Sequence, residues 1–187
     1  MKVIETALAG VLIIEPTVFT DARGCFMESF SARRYSEQAG ITQAFVQDNL
    51  SRSRHGVLRG LHFQQRHPQG KLVSVVHGRV YDVVVDITPG SPSFGRHLGL
   101  ELSDRNRRQL WVPPGFAHGF CVLSDWADQS YKCTQYYDPD DEAGLAWNCP
   151  EVAIDWPIAQ PLLSPRDQRH PTLSQLARTL PFDTAHP

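Results

Sequence analysis

Apolar and polar residues along the chain alternate in short runs, with few long helical stripes. The stretches "KLVSVV" (71–76), "RVYDVVVDI" (79–87), "QLWVPP" (109–114), "GFCVL" (119–123) and "SYKCTQYY" (130–137) are rich in β-branched and aromatic residues. Such residues suit a pleated, half-buried surface. Turn signals separate them: Asp21 to Gly24, His77-Gly78, "PGSP" at 89–92, "PPG" at 113–115 and "DPDD" at 138–141. One helix is predicted in "SARRYSEQAG" (31–40), with Ser31 as N-cap and Gly40 as stop. A second, short helix is expected near Ser174 to Thr179. Many short strands at this spacing predict an all-β antiparallel barrel or two-sheet jelly roll. The imperfect alternation of "RVYDVVVDI" suits a strand buried on one face and covered on the other at a subunit contact, so a homodimer is expected.

The 187 residues fit one domain, spanning 1–187, with the tail after about 173 the least defined part. A domain of this length buries roughly 70% of its unfolded surface. The net charge of −2 gives no overall basic character, so neither nucleic acid nor membrane is an expected partner. A local basic pocket for a small anion remains compatible with it. The short apolar run near the N-terminus lies between Glu5 and Pro16 with no basic segment before it, so a signal peptide is not expected. No stretch reaches the ~18 apolar residues of a membrane span. Cys25, Cys121, Cys133 and Cys149 show neither C-x-x-C pairing nor zinc-ligand spacing. Free thiols in a reducing cytoplasm are the expectation.

The candidate chemistry starts at "GVLRGLHFQ" (56–64), where one apolar run carries Arg59, His62 and Gln64. Strict alternation places Arg59 and His62 on opposite faces. A bulge at Gly60 would turn both inward; the alternative is an edge strand with both side chains in water. Lys71 begins a strongly apolar strand, where a lysine ordinarily reaches solvent and matters only beside an anion or a developing negative charge. "VPPGFAHGF" holds P-x-G-x-x-H, with Pro113, Gly115 and His118, and this spacing resembles the second motif of the cupin superfamily. The place of that superfamily's first histidine pair reads His62-Phe63-Gln64. The second ligand is missing, and His62 with His118 are too few for a metal. In "SYKCTQYYDP", alternation puts Tyr131, Cys133, Gln135 and Tyr137 on one face. These tyrosines are either core aromatics with hydroxyls at the rim or, facing a histidine, acids. A base (His62), a cation (Lys71) and a proton donor (Tyr131) suit proton abstraction beside a carbonyl. The pattern alone does not identify the carboxylate that orients the histidine.

Five longer motifs then carry a resemblance: "DARGCFMESF" (21–30), "VQDNLSRSRHGVLRGLHFQ" (46–64), "GFAHGF" (115–120), "YKCTQYYDP" (131–139) and "EAGLAWNCPEVAIDWP" (142–157). From about Val11 to Leu173 the chain resembles the dTDP-4-dehydrorhamnose 3,5-epimerase family, metal-free cupins of deoxysugar biosynthesis. The resemblance implies a cupin-type double-stranded β-helix with a few short helices, no cofactor and no metal. It implies dTDP-4-dehydro-6-deoxy-glucose as substrate, inverted at C3 and C5 for dTDP-rhamnose and cell-surface polysaccharide. His62 would be the base, Asp167 its charge partner, Lys71 the cation at the enolate oxygen, and Tyr131 the acid on the opposite face. Arg23, Gln47, Asn49, Arg59 and Arg166 would hold diphosphate, sugar and nucleoside. Tyr137 would stack on thymine, with Glu28, His118 and Glu142 completing the binding set. A cytoplasmic homodimer with exchanged N-terminal strands is implied, in which Arg23 and Glu28 serve the neighbouring subunit's site. Two departures stand out: Cys149 where the family usually has Asp, and Arg166 where it usually has Lys. The first is expected to change local structure only, the second to alter reach while keeping charge. Competing readings are an epimerase acting on one carbon, a 3,4-ketoisomerase on the same scaffold, a metal-dependent cupin, and a non-catalytic sugar-nucleotide binding module.

Overall fold

Runs of four to eight strand-forming residues between Gly, Pro and Asp turns leave little room for helix, and the chain folds accordingly. The computed structural model describes residues 1–180. In chain order these form β1 (Lys2–Glu5), β2 (Leu12–Glu15), β3 (Val18–Asp21), β4 (Gly24–Met27), α1 (Ala32–Ala39), β5 (Gln47–Arg54), β6 (Leu58–Gln64), β7 (Lys71–His77), β8 (Arg79–Asp86), β9 (His97–Ser103), β10 (Gln109–Val112), β11 (Phe116–Val122), β12 (Trp126–Cys133) and β13 (Glu142–Gly144). A 3₁₀ turn (Asp167–Arg169) and α2 (Leu173–Leu176) follow. The predicted helix is present, with Ser31 Oγ accepting from the Arg34 N–H and Gly40 ending it in the left-handed region. The second helix begins one residue early and is shorter than expected.

Two antiparallel sheets face each other as a jelly roll. One runs β1-β2-β10-β7-β12-β5 and the other β13-β6-β11-β8-β9, while β3 and β4 form a separate hairpin. Between the sheets lie Val73 and Val75 of β7, Val80 and Val84 of β8, Leu110, Phe116, Phe120 and Val122. Val83 and Val85 take the other face of β8, packed under Leu145, Cys149, Val152, Leu173 and Leu176. This corrects the reason given for a subunit contact at β8: the chain's own C-terminal segment covers that face. Each such buried side chain contributes about 1.5–3 kcal/mol, which holds a segment with little regular structure against the barrel. Cys149 belongs to this layer. Its thiol donates to Glu151 Oε2 at 2.9 Å and its sulfur accepts from the Leu173 N–H at 3.2 Å, tying the loop to α2. The expected domain boundary at 187 falls outside the described residues.

Two strand expectations shift. The strand read at 130–137 is β12, displaced toward the N-terminus and ending at Cys133. Beyond it the backbone turns away, because the Thr134 N–H donates to Gly70 O and the Tyr137 N–H to Gln47 Oε1 at 2.8 Å. Gln135 and Tyr137 are therefore loop residues. β6 is flanked on both sides by β13 and β11, which removes the edge-strand reading.

The bulge at Gly60 is real. His62 pairs with His118 and Arg59 with Phe120, so β6 carries one residue more than β11 over the same length. Arg59 and His62 thereby reach the same cavity despite their odd spacing. Gly60 sits at φ +125°, and a Cβ there would meet Gly119 Cα at 2.6 Å. Gly60→Ala is expected to destabilise the fold by about 2–4 kcal/mol, read as a lower urea midpoint with unchanged slope.

Candidate active site

The bulge on β6 and the inward faces of β5, β7, β11 and β12 enclose a cavity of about 360 Å³. Its lining includes Gln47, Asn49, Arg59, His62, Lys71, His118, Tyr131, Tyr137 and Glu142. His62 comes from one sheet and Tyr131 from the other, so they enter from facing walls. A larger hollow of about 630 Å³ beside α1 has only Asp48 and Lys132 as charged lining, and these pair with each other at 2.9 Å.

His62 is one of two histidines in the lining that meet an aspartate. Its Nε2 lies 2.6 Å from Asp167 Oδ1. Asp167 is buried, and burial pulls its carboxyl upward, but the imidazoles of His170 and then His62 facing it outweigh this and hold it well below the usual carboxylate range. An ionised carboxylate only accepts, so Nε2 carries the proton and donates it to Asp167. Nδ1 is left as the basic nitrogen. It lies 4.0 Å from Glu142 Oε1, a residue that lines the cavity. The second pair is His118 Nε2 donating to Asp82 Oδ1 at 2.8 Å, with Asp82 Oδ2 accepting from Gln129 Nε2 at 2.7 Å. The His118 side chain is 8% exposed against 27% for His62, so His62 presents the larger surface of the two.

Lys71 points inward, contrary to the ordinary habit of a strand-end lysine. Burial lowers its pKa, opposed by Cys133, Glu142 and Asp82. Among the described residues no carboxylate comes within 4.0 Å of its ammonium, so its charge is available to a guest in the cavity. Burial raises the Tyr131 phenol, helped by Cys133 and Glu142 and opposed by Arg59. The hydroxyl thus keeps its proton at neutral pH and can give it up only to a strong base.

The binding residues divide into two groups. Gln47 donates to Asn49 Oδ1 at 2.9 Å, and Arg59 Nε donates to Ser53 Oγ at 3.0 Å. Tyr137 donates its hydroxyl to Glu142 Oε2 at 2.9 Å, and Arg166 pairs with the same carboxylate from the rim. Arg23 and Glu28 are not brought to this cavity. Arg23 stands at the exposed tip of the β3–β4 hairpin, paired with Asp21, and Glu28 pairs with Arg34 at 3.3 Å. Ser51, Gln69 and Gln129 line the cavity without having been singled out by sequence. Alternation in "QDNLSRSR" was the available signal for Ser51. Gln64 holds a loop: its Nε2 donates to His67 O and its Oε1 accepts from the Asp138 N–H.

His62, Asp167 and His170 offer three metal-type donors within 4.8 Å. Two ligands on a tetrahedral zinc lie about 3.3 Å apart, from bonds of about 2.0–2.1 Å. The 2.6 Å separation of His62 and Asp167 is instead that of a charge-assisted hydrogen bond.

A jelly roll whose cavity sets a carboxylate-bonded histidine opposite a protonated tyrosine, with Lys71 and Arg59 beside them, has the layout of an enzyme of the proton-transfer class. Comparison with known proteins places it further. The family model for dTDP-4-dehydrorhamnose 3,5-epimerase matches residues 5–175. A dTDP-4-dehydrorhamnose 3,5-epimerase of Escherichia coli is 53% identical over 180 residues, covering 95% of this chain and 97% of that protein. A Neisseria gonorrhoeae protein of the same name is 52% identical over 96% of this chain, which spans only 55% of that relative's length. The crystal structure of dTDP-6-deoxy-D-glucose-3,5-epimerase from Legionella pneumophila in complex with dTDP-4-keto-L-rhamnose superimposes with a TM-score of 0.94 at 53% identity, covering 98% of this chain and 99% of that one. The chain belongs to the dTDP-4-dehydrorhamnose 3,5-epimerase family, isomerases acting on carbohydrates.

The depressed Asp167 carboxyl also fixes a sign for stability. An aspartate whose folded pKa lies below its ordinary 3.8 adds stability fully present above that value and lost as pH falls through the lower folded one. Asp167→Asn should flatten the acid side of the stability curve below about pH 4, measured by thermal melts between pH 2 and 7.

Proposed function

We propose that this chain epimerises dTDP-4-dehydro-6-deoxy-D-glucose at C3 and C5 to dTDP-4-dehydro-L-rhamnose, a step toward dTDP-L-rhamnose. The observation that carries the reading is the placement of His62 and Tyr131 on facing walls of one cavity. Inversion of a carbon acid needs a base on one face and an acid on the other.

The C4 ketone acidifies the protons on C3 and C5. His62 Nδ1 removes one, and the imidazolium so formed is stabilised by Asp167. Negative charge moves to the ketone oxygen as an enolate, where the ammonium of Lys71 in a dry site is worth several kcal/mol, on the order of an oxyanion-hole donor. Tyr131 returns a proton from the opposite face. Arg59 and Arg166 supply charge for the diphosphate, Gln47, Asn49, His118 and Glu142 hold the sugar and nucleoside, and Tyr137 stacks on the base. No metal enters these steps.

Arg23 and Glu28 act in the cavity of a second copy, delivered by the β3–β4 hairpin in a homodimer with exchanged N-terminal segments. Phe19 and Phe26 on that hairpin are 63% and 71% exposed, and Leu50, Val76 and Trp126 are exposed on the six-stranded sheet, which supports a partner there. A cytoplasmic location is supported by four free cysteines, and no helix among the described residues is long and apolar enough to cross a membrane.

The test is deuterium exchange. Incubation with dTDP-4-dehydro-6-deoxy-glucose in D₂O should place label at C3 and C5 with inversion at both, followed by NMR. Label at one carbon would identify a mono-epimerase, a moved ketone would identify an isomerase, and bound but unlabelled sugar would leave a binding module. His62→Ala and Tyr131→Phe should each lower turnover roughly 10²- to 10⁴-fold with dTDP binding retained. Exhaustive chelation should leave the rate unchanged; activity lost to chelator and restored by a divalent ion would overturn the metal-free mechanism.

A further inference from the structure

His170 lies outside every role assigned so far, although it touches the catalytic pair. Its side chain is 8% exposed, and Nε2 lies 3.4 Å from Asp167 Oδ1, the same oxygen that accepts from His62. That nitrogen is buried and makes no formed hydrogen bond among the described residues, and Asp167 Oδ1 is the carboxylate oxygen it approaches. The ring stands edge-to-face on His62, with centroids 5.6 Å apart and planes at 80°. A Cβ at Gly144 would collide with the His170 ring, so β13 is built to leave it room.

We propose that His170 is a positioning residue for the reaction assigned above: a second imidazole on Asp167 that fixes the carboxylate against His62 and limits how basic His62 becomes. The inference rests on that reading for its effect on turnover, but not for its effect on His62. As a neutral N–H donor, His170 draws electron density from Oδ1; as an imidazolium, it opposes the carboxylate's field. Either state weakens the stabilisation that Asp167 gives to protonated His62, so the sign is the same. The other charged or titratable groups around the trio are Glu142, 4.0 Å from His62 Nδ1, Arg166 and Tyr137 on Glu142, and Arg169, which donates to Pro165 O. Lys71 and Tyr131 stand among the other cavity residues. None of these others hydrogen-bonds to Asp167 Oδ1 among the described residues, so His170 is the group placed to adjust it.

Two variants remove the ring nitrogens, His170→Phe and His170→Met, and His170→Gln returns an N–H. Imidazole NMR titration of the free protein should show the His62 midpoint moving upward by about one pH unit in the first two and back toward the parent in the third. The acid limb of the exchange rate in D₂O should move by the same amount, with KM little changed. Melting temperature and dTDP binding report folding separately. A folded His170→Phe or His170→Met whose His62 midpoint matches the parent would overturn the proposal, whatever happens to the rate. A His62 midpoint shifted in those variants, while the parent exchanges no substrate proton, would uphold the positioning role and sink the epimerase reading instead.

Discussion

A hydrogen bond between residues 105 positions apart in the chain, His62 to Asp167 at 2.6 Å, joins the barrel to the segment that wraps it. An imidazole alone in a half-buried cavity is a weak and poorly oriented base. The carboxylate fixes which nitrogen carries the proton, holds the ring in one plane, and makes protonation of the other nitrogen favourable. Everything near it serves that contact. Leu145, Val152, Leu173 and Leu176 dock the C-terminal segment on the five-stranded sheet, and the bulge at Gly60 turns His62 toward it without turning Arg59 away.

Two histidines of the cavity lining each meet an aspartate, and burial separates them. His118 and Asp82 lie among β8, β11 and β12, with Gln129 satisfying the second carboxylate oxygen, and His118 presents little of its surface. His62 keeps a quarter of its side chain accessible, and its far nitrogen is free. The chemistry of the two rings is identical, so solvent access and the third hydrogen-bond partner decide which can exchange protons with a guest. Lys71 and Tyr131 extend the same division, one buried without a carboxylate partner among the described residues and the other half-buried in its neutral form.

Strand-rich architecture was legible for most strands in a hydrophobic layer, though β2 and β9, which also bury leucine or isoleucine, were not read as strands. β7, β8 and β10 read plainly because their valines and leucines fill the barrel or its outer coat. β5 did not, since its inward residues, Gln47, Asn49, Ser51 and Ser53, face the cavity and its neighbours, and leave no apolar alternation to see. The carboxylate partner of His62 was beyond any local pattern, because it comes from a turn docked by tertiary packing; only the family resemblance named it. Tyr137 was placed in the cavity by the wrong route, as a strand residue, although a loop bonded to Gln47 and Gln64 takes it there. His170 carries a weak local signal: it lies three residues after Asp167, at the end of the 3₁₀ turn.

The thirteen strands among the described residues all precede Asp167 in the chain. Sheet register therefore fixes the walls of the cavity, while the packing of the C-terminal segment on the five-stranded sheet fixes the 2.6 Å contact to His62. A substitution in that outer layer, at Val152 or Leu176, bears on the site without lying in it.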